Sequence, residues 1–228
     1  HPEDIMIEAV LWDIDGTLLD SEPFHFKSIV AVCEAHGQTV PKSDYDRLLG
    51  RSMAEVYAML NAAQPLPLDL PQLAAACSDY YVANVADVPA RAGALEKVAE
   101  LAERGIPQAC VSNSGRRVVE ANFSAIAGTI AMPDALRFAL SRDDVTHGKP
   151  HPEPYLRAAE RLGVDIQSCI VVGDSIWDTL AAQRARALSV GLLCGGYGED
   201  ELQRAGAFRV YEDPADMLKH LDEVGGRR

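Results

Sequence analysis

The stretch AVLWDIDGTLLD, residues 9–20, holds the pattern from which the fold can be worked out. Four apolar residues, Ala9–Trp12, run directly into two aspartates, Asp13 and Asp15, with a single residue between them. A short apolar run that stops at polar residues is typical of a buried strand. Neighbouring carboxylates repel each other, so this strand end is stable only if cationic groups lie close by.

Short apolar runs alternate with helical patterns along most of the chain. The runs cover residues 8–12, 106–111, 168–172, 188–193 and 208–212. Between the first two, ALEKVAELAERG has apolar residues at helical spacing and stops at Gly105. Continuous apolar strands that alternate with helices predict an α/β fold, with a parallel sheet covered by helices on both faces.

Residues 19–88 interrupt this alternation because they contain helical patterns and few strand signals. The helical patterns cover residues 24–37, 53–63 and 70–86, and the proline-rich QPLPLDLP connects the last two. We therefore predict two domains: a core formed by residues 1–18 and 89–228, and a helical insertion formed by residues 19–88.

The composition of the 228 residues, 48% hydrophobic and 24% charged, is typical of a globular protein. A net charge of -13 argues against a nucleic-acid surface, which needs lysine and arginine to neutralise phosphates. No apolar run approaches the roughly 20 residues of a membrane-spanning helix. Five widely spaced cysteines indicate reduced thiols, and the first residues lack a signal-peptide pattern, so we predict a cytoplasmic protein with a small-molecule partner. The oligomeric state stays open, and a monomer is compatible with the sequence.

Polar residues follow several of the predicted strands at the edge where ligands bind in open α/β sheets. These residues are Asp13, Asp15, Ser112, Asn113 and Asp174, and Lys149 joins them from the loop THGKPHPEPY. Taken singly, each has a simpler interpretation: an Asp-Gly turn, a helix N-cap, or a solvated lysine. Their joint placement at one sheet edge favours a catalytic site.

The order of DIDGT, VSNS, GK and GDSIWD resembles the four motifs of the haloacid dehalogenase superfamily. The resemblance spans nearly the whole chain. It implies a Rossmann-like parallel sheet core with an inserted α-helical cap domain, which corresponds to the insertion of residues 19–88.

The resemblance also implies a role for each motif residue. Asp13 attacks the phosphorus to form an aspartyl-phosphate, and Asp15 protonates the leaving oxygen and later activates water. A cation must cancel the repulsion between phosphate and carboxylate, and oxygen ligands from Asp13, Asp15 and Asp174 suit Mg²⁺. The implied phosphate-binding groups are Ser112, Asn113 and Lys149.

Two further residues of the motifs are expected to support the site. Thr17 belongs to the turn that presents the two aspartates. Asp178 follows Asp174 by four residues, so both side chains share one face at a helix start. Asp178 either orders the metal site or orients Lys149, or it is an acidic residue favoured there by the helix dipole.

Two residues of the insertion are candidates for substrate specificity. Arg51, in LLGRS, resembles a cap-loop residue of relatives that act on hexose phosphates, and its guanidinium suits recognition of paired oxygens. The alternative is a solvated arginine. His25, in SEPFHFKS, resembles a residue that approaches the site in β-phosphoglucomutase relatives, although a histidine between two phenylalanines can also simply pack.

The predicted function is hydrolysis of a small phosphomonoester, such as a sugar phosphate or a phosphoglycolate-like metabolite. The alternative is a sugar phosphomutase, but Gly173 stands where the mutase motif commonly has an acidic residue, and Thr17 is more usual in phosphatases. Asp15 argues against a dehalogenase, and no lysine of the insertion fits a phosphonoacetaldehyde hydrolase motif. A non-catalytic binding protein of this fold would have no need to keep these charged residues together.

Overall fold

The computed structural model describes residues 7–48, 51–130, 132 and 134–220. The chain divides into two compact units, one formed by His1–Asp20 with Pro89–Arg228 and the other by Ser21–Val88. We refer to them as the sheet unit and the helical unit. In the described ranges, none of the helices is both long and apolar enough to cross a membrane.

The sheet unit contains one parallel sheet of six strands in the order β3-β2-β1-β4-β5-β6. The strands are β1 Ala9–Trp12, β2 Gln108–Val111, β3 Ala139–Leu140, β4 Cys169–Gly173, β5 Leu188–Leu192 and β6 Arg209–Tyr211. Trp12, at the end of β1, pairs with Cys110 of β2 and Val172 of β4. The carboxyl ends of the three central strands are therefore level with one another.

Both faces of the sheet are buried. Leu11, Val111 and Val171 pack in one cluster with residues of α7 Glu153–Leu162 and α8 Ile176–Ala185. Val10 and Trp12 alternate with Leu11, point to the other face, and are fully buried as well. The predicted α/β class with a Rossmann-like parallel sheet is thus confirmed.

The remaining helices of the sheet unit are α5 Ala94–Glu103, α6 Arg116–Thr129, α9 Glu199–Ala205 and α10 Pro214–Lys219. Strand β2 starts two residues later than the apolar run that begins at Ile106. The reason is that Pro107 has no N–H to donate to a neighbouring strand, although its carbonyl oxygen accepts a hydrogen bond from the Val10 N–H at 3.0 Å. Strand β3 was not predicted, because two residues are too few to show a period.

The helical unit contains α1 Glu22–Ala35, α2 Tyr45–Leu48, α3 Met53–Ala63 and α4 Leu70–Ala83. Helix α3 has the predicted bounds, and a capping box between Ser52 and Glu55 fixes its start. The four helices enclose an apolar core that includes Val32, Val56 and Leu73. Within the described residues of this unit the structure has no strand, so the inserted helical domain of the predicted fold is confirmed.

Candidate active site

The turn after β1 places its two aspartates in different surroundings. The backbone N–H of Asp13 still pairs with Val172 at 2.9 Å, so this residue extends the strand. The chain then turns at Gly16, whose φ of 82° lies in the left-handed region. A side chain on Gly16 would collide with the carboxylate of Asp174. Glycine therefore satisfies both the turn and the close approach.

A buried ammonium group lies at the centre of the site. Lys149 Nζ donates to Asp13 Oδ1 at 2.8 Å, to Asp178 Oδ1 at 2.7 Å and to the carbonyl of Val111 at 2.8 Å. All three of its protons thus have acceptors. Burial opposes the charge, but the carboxylates of Asp13 and Asp178 raise the pKa of Lys149 well above its usual value. Lys149 is a fixed cation at this strand end.

Asp178 holds this lysine in place. Its Oδ1 also accepts a hydrogen bond from the Tyr155 hydroxyl at 2.8 Å, and its Oδ2 accepts one from Ser175 at 2.9 Å. The residue is only 2% exposed. Because three side chains fix the carboxylate, it contacts Lys149 in one defined geometry.

A third carboxylate, that of Asp174, lies beside the two that contact Lys149. Oxygen atoms of Asp13, Asp174 and Asp178 all lie within 4.8 Å of one another. Thr17 Oγ1 lies 3.3 Å from Asp13 Oδ2 and 3.0 Å from Asp174 Oδ1, so its one proton bridges two of them. Burial and the neighbouring carboxylates raise the pKa of Asp13 well above its usual value, and burial also raises the pKa of Asp174.

This acidic cluster, Asp13 with Asp174 and Asp178, fits a hard divalent cation. All its donors are oxygen atoms, and its negative charge exceeds the single positive charge of Lys149. A side chain at Gly195 would collide with Asp174, so glycine at this position lets the backbone approach that residue closely without blocking its carboxylate. A bound cation would neutralise the excess charge.

Asp15 accepts hydrogen bonds from two serine hydroxyl groups. Its Oδ2 accepts hydrogen bonds from Ser112 at 3.0 Å and from Ser114 at 3.1 Å. The backbone N–H of Ser114 donates to Ser112 Oγ at 3.1 Å, which fixes the first hydroxyl. Asp13 and Asp15 therefore differ in environment although they are neighbours in sequence.

The side chain of Asn113 contacts the loop that carries Lys149. Its Nδ2 donates to the carbonyl of Lys149 at 3.0 Å, and its Oδ1 accepts from the Lys149 N–H at 2.9 Å. This pair of bonds joins the end of β2 to the loop before α7. The structure thus brings together all eight candidates of the sheet unit: Asp13, Asp15, Thr17, Ser112, Asn113, Lys149, Asp174 and Asp178.

The two candidates of the helical unit have local partners. His25 stacks on Tyr81 with ring centroids 4.2 Å apart. Arg51 is exposed, and its Nε donates to the carbonyl of Arg47 at 2.6 Å. Residues 49 and 50 of LLGRS lie outside the described residues. A substrate contact by His25 or Arg51 stays a prediction.

Sequence reasoning missed three residues of this region. Ser114 lies inside the VSNS motif, and its spacing of two from Ser112 was the available signal. Tyr155 reaches Asp178 from α7, and no local pattern marks it. Arg91 donates to the carbonyl of Gly16 at 2.6 Å and to that of Cys194 at 3.4 Å, which fixes the turn behind the aspartates.

Arg91 also lies where the chain returns to the sheet unit. Its backbone N–H donates to the carbonyl of Leu18 at 2.9 Å, and Asp20 N–H donates to the carbonyl of Pro89 at 2.9 Å. The guanidinium lies 3.5 Å from the Asp20 carboxylate. The departing and returning segments are therefore hydrogen-bonded to each other.

The carboxyl edge of this parallel sheet thus carries a buried lysine among aspartates, which offers a fixed cation and oxygen ligands for a metal ion. The sequence matches the haloacid dehalogenase-like hydrolase family over residues 7–186, and the chain belongs to this family. The predicted superfamily is confirmed.

Several known proteins are similar over almost their whole length. N-acetylmuramic acid 6-phosphate phosphatase of Pseudomonas aeruginosa is 30% identical, with 96% of each chain covered. A hydrolase from Pseudomonas syringae is 33% identical, with a TM-score of 0.74 and coverage of 95% of this chain and 98% of that one. CbbY from Rhodobacter sphaeroides, solved in complex with phosphate, is 27% identical, with a TM-score of 0.77 and coverage of 93% and 96%. The predicted enzyme class, a phosphoric monoester hydrolase, is confirmed by the family match and the phosphatase relative.

Proposed function

We propose that the chain is a Mg²⁺-dependent phosphatase of small phosphomonoesters, with a sugar phosphate as the favoured substrate class. The observation that carries this proposal is the different environment of two neighbouring carboxylates. Asp13 accepts a hydrogen bond from the buried Lys149, whereas Asp15 accepts hydrogen bonds from the hydroxyl groups of Ser112 and Ser114. The similar phosphatase from Pseudomonas aeruginosa, named for a sugar 6-phosphate, supports the substrate class.

In the proposed reaction, an Asp13 carboxylate oxygen forms a bond to phosphorus while the bond to the substrate's alkoxy oxygen breaks. Asp15 gives its proton to that oxygen, so the alcohol leaves neutral. Asp15 then takes a proton from water, whose oxygen attacks the phosphorus and releases Asp13 and inorganic phosphate. To bind phosphate oxygens, the Lys149 ammonium would redirect the proton that it donates to Asp13, and the Ser112 hydroxyl the proton that it donates to Asp15.

We assign Mg²⁺ to the acidic cluster, with Asp13, Asp174 and the backbone carbonyl of Asp15 as its ligands. Bound there, the ion would offset the charge of the nucleophile and the phosphate. Asp178 is assigned to the orientation of Lys149, since it accepts a hydrogen bond from Nζ at 2.7 Å. Asn113 is assigned to phosphate binding through its backbone N–H, while its side chain fixes the Lys149 loop.

We also propose separate roles for the two domains. Residues 1–18 and 89–228 form the catalytic core, and residues 19–88 form a cap domain that selects the substrate. His25 and Arg51 are the cap residues proposed to contact it. A guanidinium suits the oxygens of a sugar or of a second phosphate.

The test supplies the purified protein and MgCl₂ with N-acetylmuramate 6-phosphate, phosphoglycolate, or β-glucose 1-phosphate plus a trace of its bisphosphate. Inorganic phosphate and glucose 6-phosphate are both measured. We expect phosphate release from at least one ester. Formation of glucose 6-phosphate without phosphate release would instead identify a phosphomutase.

Asp15→Asn tests the assigned roles. We expect a turnover loss of about 10²–10⁴-fold, typical of a lost general acid, with Mg²⁺ binding retained. Asp200→Asn, at an exposed carboxylate of the same unit, serves as the matched control. Unchanged hydrolysis by Asp15→Asn would remove the assignment.

A further inference from the structure

A second cluster of metal-binding side chains lies in the loop that leads into α7, outside the acidic cluster. One nitrogen each of His147 and His151 and a carboxylate oxygen of Glu153 lie within 4.8 Å of one another. The two imidazole rings are stacked, with centroids 4.5 Å apart. Two imidazoles and one carboxylate thus converge within seven residues of chain.

The spacing of two of these atoms matches that of two ligands of a tetrahedral ion. His147 Nδ1 lies 3.3 Å from Glu153 Oε2. Two ligands that are each roughly 2.0–2.1 Å from a tetrahedral zinc ion lie about 3.3 Å apart. His151 Nδ1 accepts a hydrogen bond from the Glu153 backbone N–H at 3.1 Å, so this nitrogen is unprotonated, as a metal ligand must be, and an ion bound to it would take the place of that N–H.

The carboxylate of this cluster is held in place before any ion binds. Glu153 accepts hydrogen bonds from the backbone N–H of Thr146 at 2.9 Å and of His147 at 2.8 Å, and from Arg157 at 3.0 Å. These hydrogen bonds lower the pKa of Glu153 to about 2, and the bond from the Thr146 N–H contributes most. The His147 side chain is 62% exposed, so an ion has access from solvent.

We propose that His147, His151 and Glu153 form a binding site for a divalent transition-metal ion such as Zn²⁺. Imidazole nitrogens select such ions, whereas the all-oxygen acidic cluster suits a harder cation. Lys149 lies between the two histidines, and its backbone is already paired with Asn113. An ion bound here therefore joins the two ends of the loop that presents the catalytic lysine.

The test is a calorimetric titration of ZnCl₂ into the full chain carrying Asp174→Asn, which weakens the acidic cluster. His147→Gln and His151→Gln are each added to this background, and His36→Gln, at an exposed histidine of the helical unit, is the matched control. We expect each loop variant to weaken Zn²⁺ binding by roughly 10–100-fold or more, and the control to leave it unchanged. Circular dichroism confirms that each variant is folded.

A second readout is the visible absorption of Co²⁺ bound to the wild-type chain. Ligand-field bands that are lost in both His147→Gln and His151→Gln would support nitrogen ligation by this cluster. Zn²⁺ affinity that is unchanged in both variants, or reduced in only one, would overturn the three-ligand site. The outcome is independent of the phosphatase assay, because neither readout uses a substrate.

Discussion

The two units of the molecule bury different kinds of side chain. Among the described residues, every buried carboxylate lies in the sheet unit, and Asp13, Asp174 and Asp178 cluster at one edge of the sheet. The buried polar side chains of the helical unit are uncharged, namely Ser21, Ser28 and Gln38. Buried like charges oppose folding, whereas buried apolar area favours it. The sheet unit therefore keeps buried charges that cost stability, whereas the buried side chains of the helical unit mainly favour folding.

Asp13→Asn should give the largest effect, and it should affect activity rather than stability. Losing a covalent nucleophile should reduce turnover by at least about 10⁴-fold. Lys149 keeps Asp178 as a partner, and the repulsion from Asp174 is relieved, so we expect a Tm equal to or above that of the wild type. Steady-state kinetics measures the turnover of the variant, and scanning calorimetry measures its Tm. A strongly lowered Tm would contradict the inference that the Asp13 charge costs stability.

Lys149→Met should destabilise the sheet unit as well as inactivate it. The substitution leaves two buried carboxylates without their cation, which typically costs about 3–5 kcal/mol. Urea unfolding at pH 7 measures this loss. Lys219→Met, at an exposed lysine of the same unit, is the control and should change the free energy of unfolding by about 1 kcal/mol or less.

In the helical unit, Leu73→Ala should lower the stability strongly and change the turnover little. Leu73 is fully buried in the apolar core, so its truncation should cost about 2–5 kcal/mol of stability. Leu156→Ala, at a leucine that is 41% exposed, should cost much less. We expect the catalytic step of the folded Leu73→Ala protein to stay within a few-fold of wild type. A loss of turnover as large as that of Asp13→Asn would contradict the division between the units.

The smallest predicted effect is a pH slope. Because the pKa of Asp13 is raised from 3.8, the native state keeps a proton that the unfolded state releases. The free energy of unfolding should therefore fall as pH rises above 3.8, by at most about 1.4 kcal/mol per pH unit for this proton. Urea unfolding in EDTA at pH 4–7 should show a shallower fall for Asp13→Asn. Identical slopes would show that burial does not raise this pKa.

Much of this organisation could be predicted because it depends on local patterns. The continuous apolar run before Asp13 predicts a buried strand, and the helical spacing of residues 53–63 predicts α3 with its observed bounds. The joint position of Asp13 and Asp174 follows from the rule that parallel strands end at one edge, and the motif resemblance adds Lys149. These inferences need only the sequence near each residue.

The rest depends on contacts between distant parts of the chain. Tyr155 is an ordinary apolar-face residue of α7 until the fold places its hydroxyl 2.8 Å from Asp178. Arg91 has no motif, and its role arises from two carbonyl groups, those of Gly16 and Cys194, which lie far from it in sequence. Strand β3 forms because Cys110 and Val111 offer it a partner, not because its two residues favour a strand.

The pairing of Leu18 and Asp20 with Arg91 and Pro89 has a consequence for how such a chain can change over generations. A segment whose two ends are fastened side by side can be lengthened, shortened or exchanged without any change in the sheet that it interrupts. The ion pair of Arg91 with Asp20 and the hydrogen bond of Arg91 to the carbonyl of Gly16 both lie within the sheet unit, so an exchange of the helical unit would leave them unchanged. One catalytic framework can in this way acquire new substrates by exchange of a module, and the reactive residues themselves need never be altered.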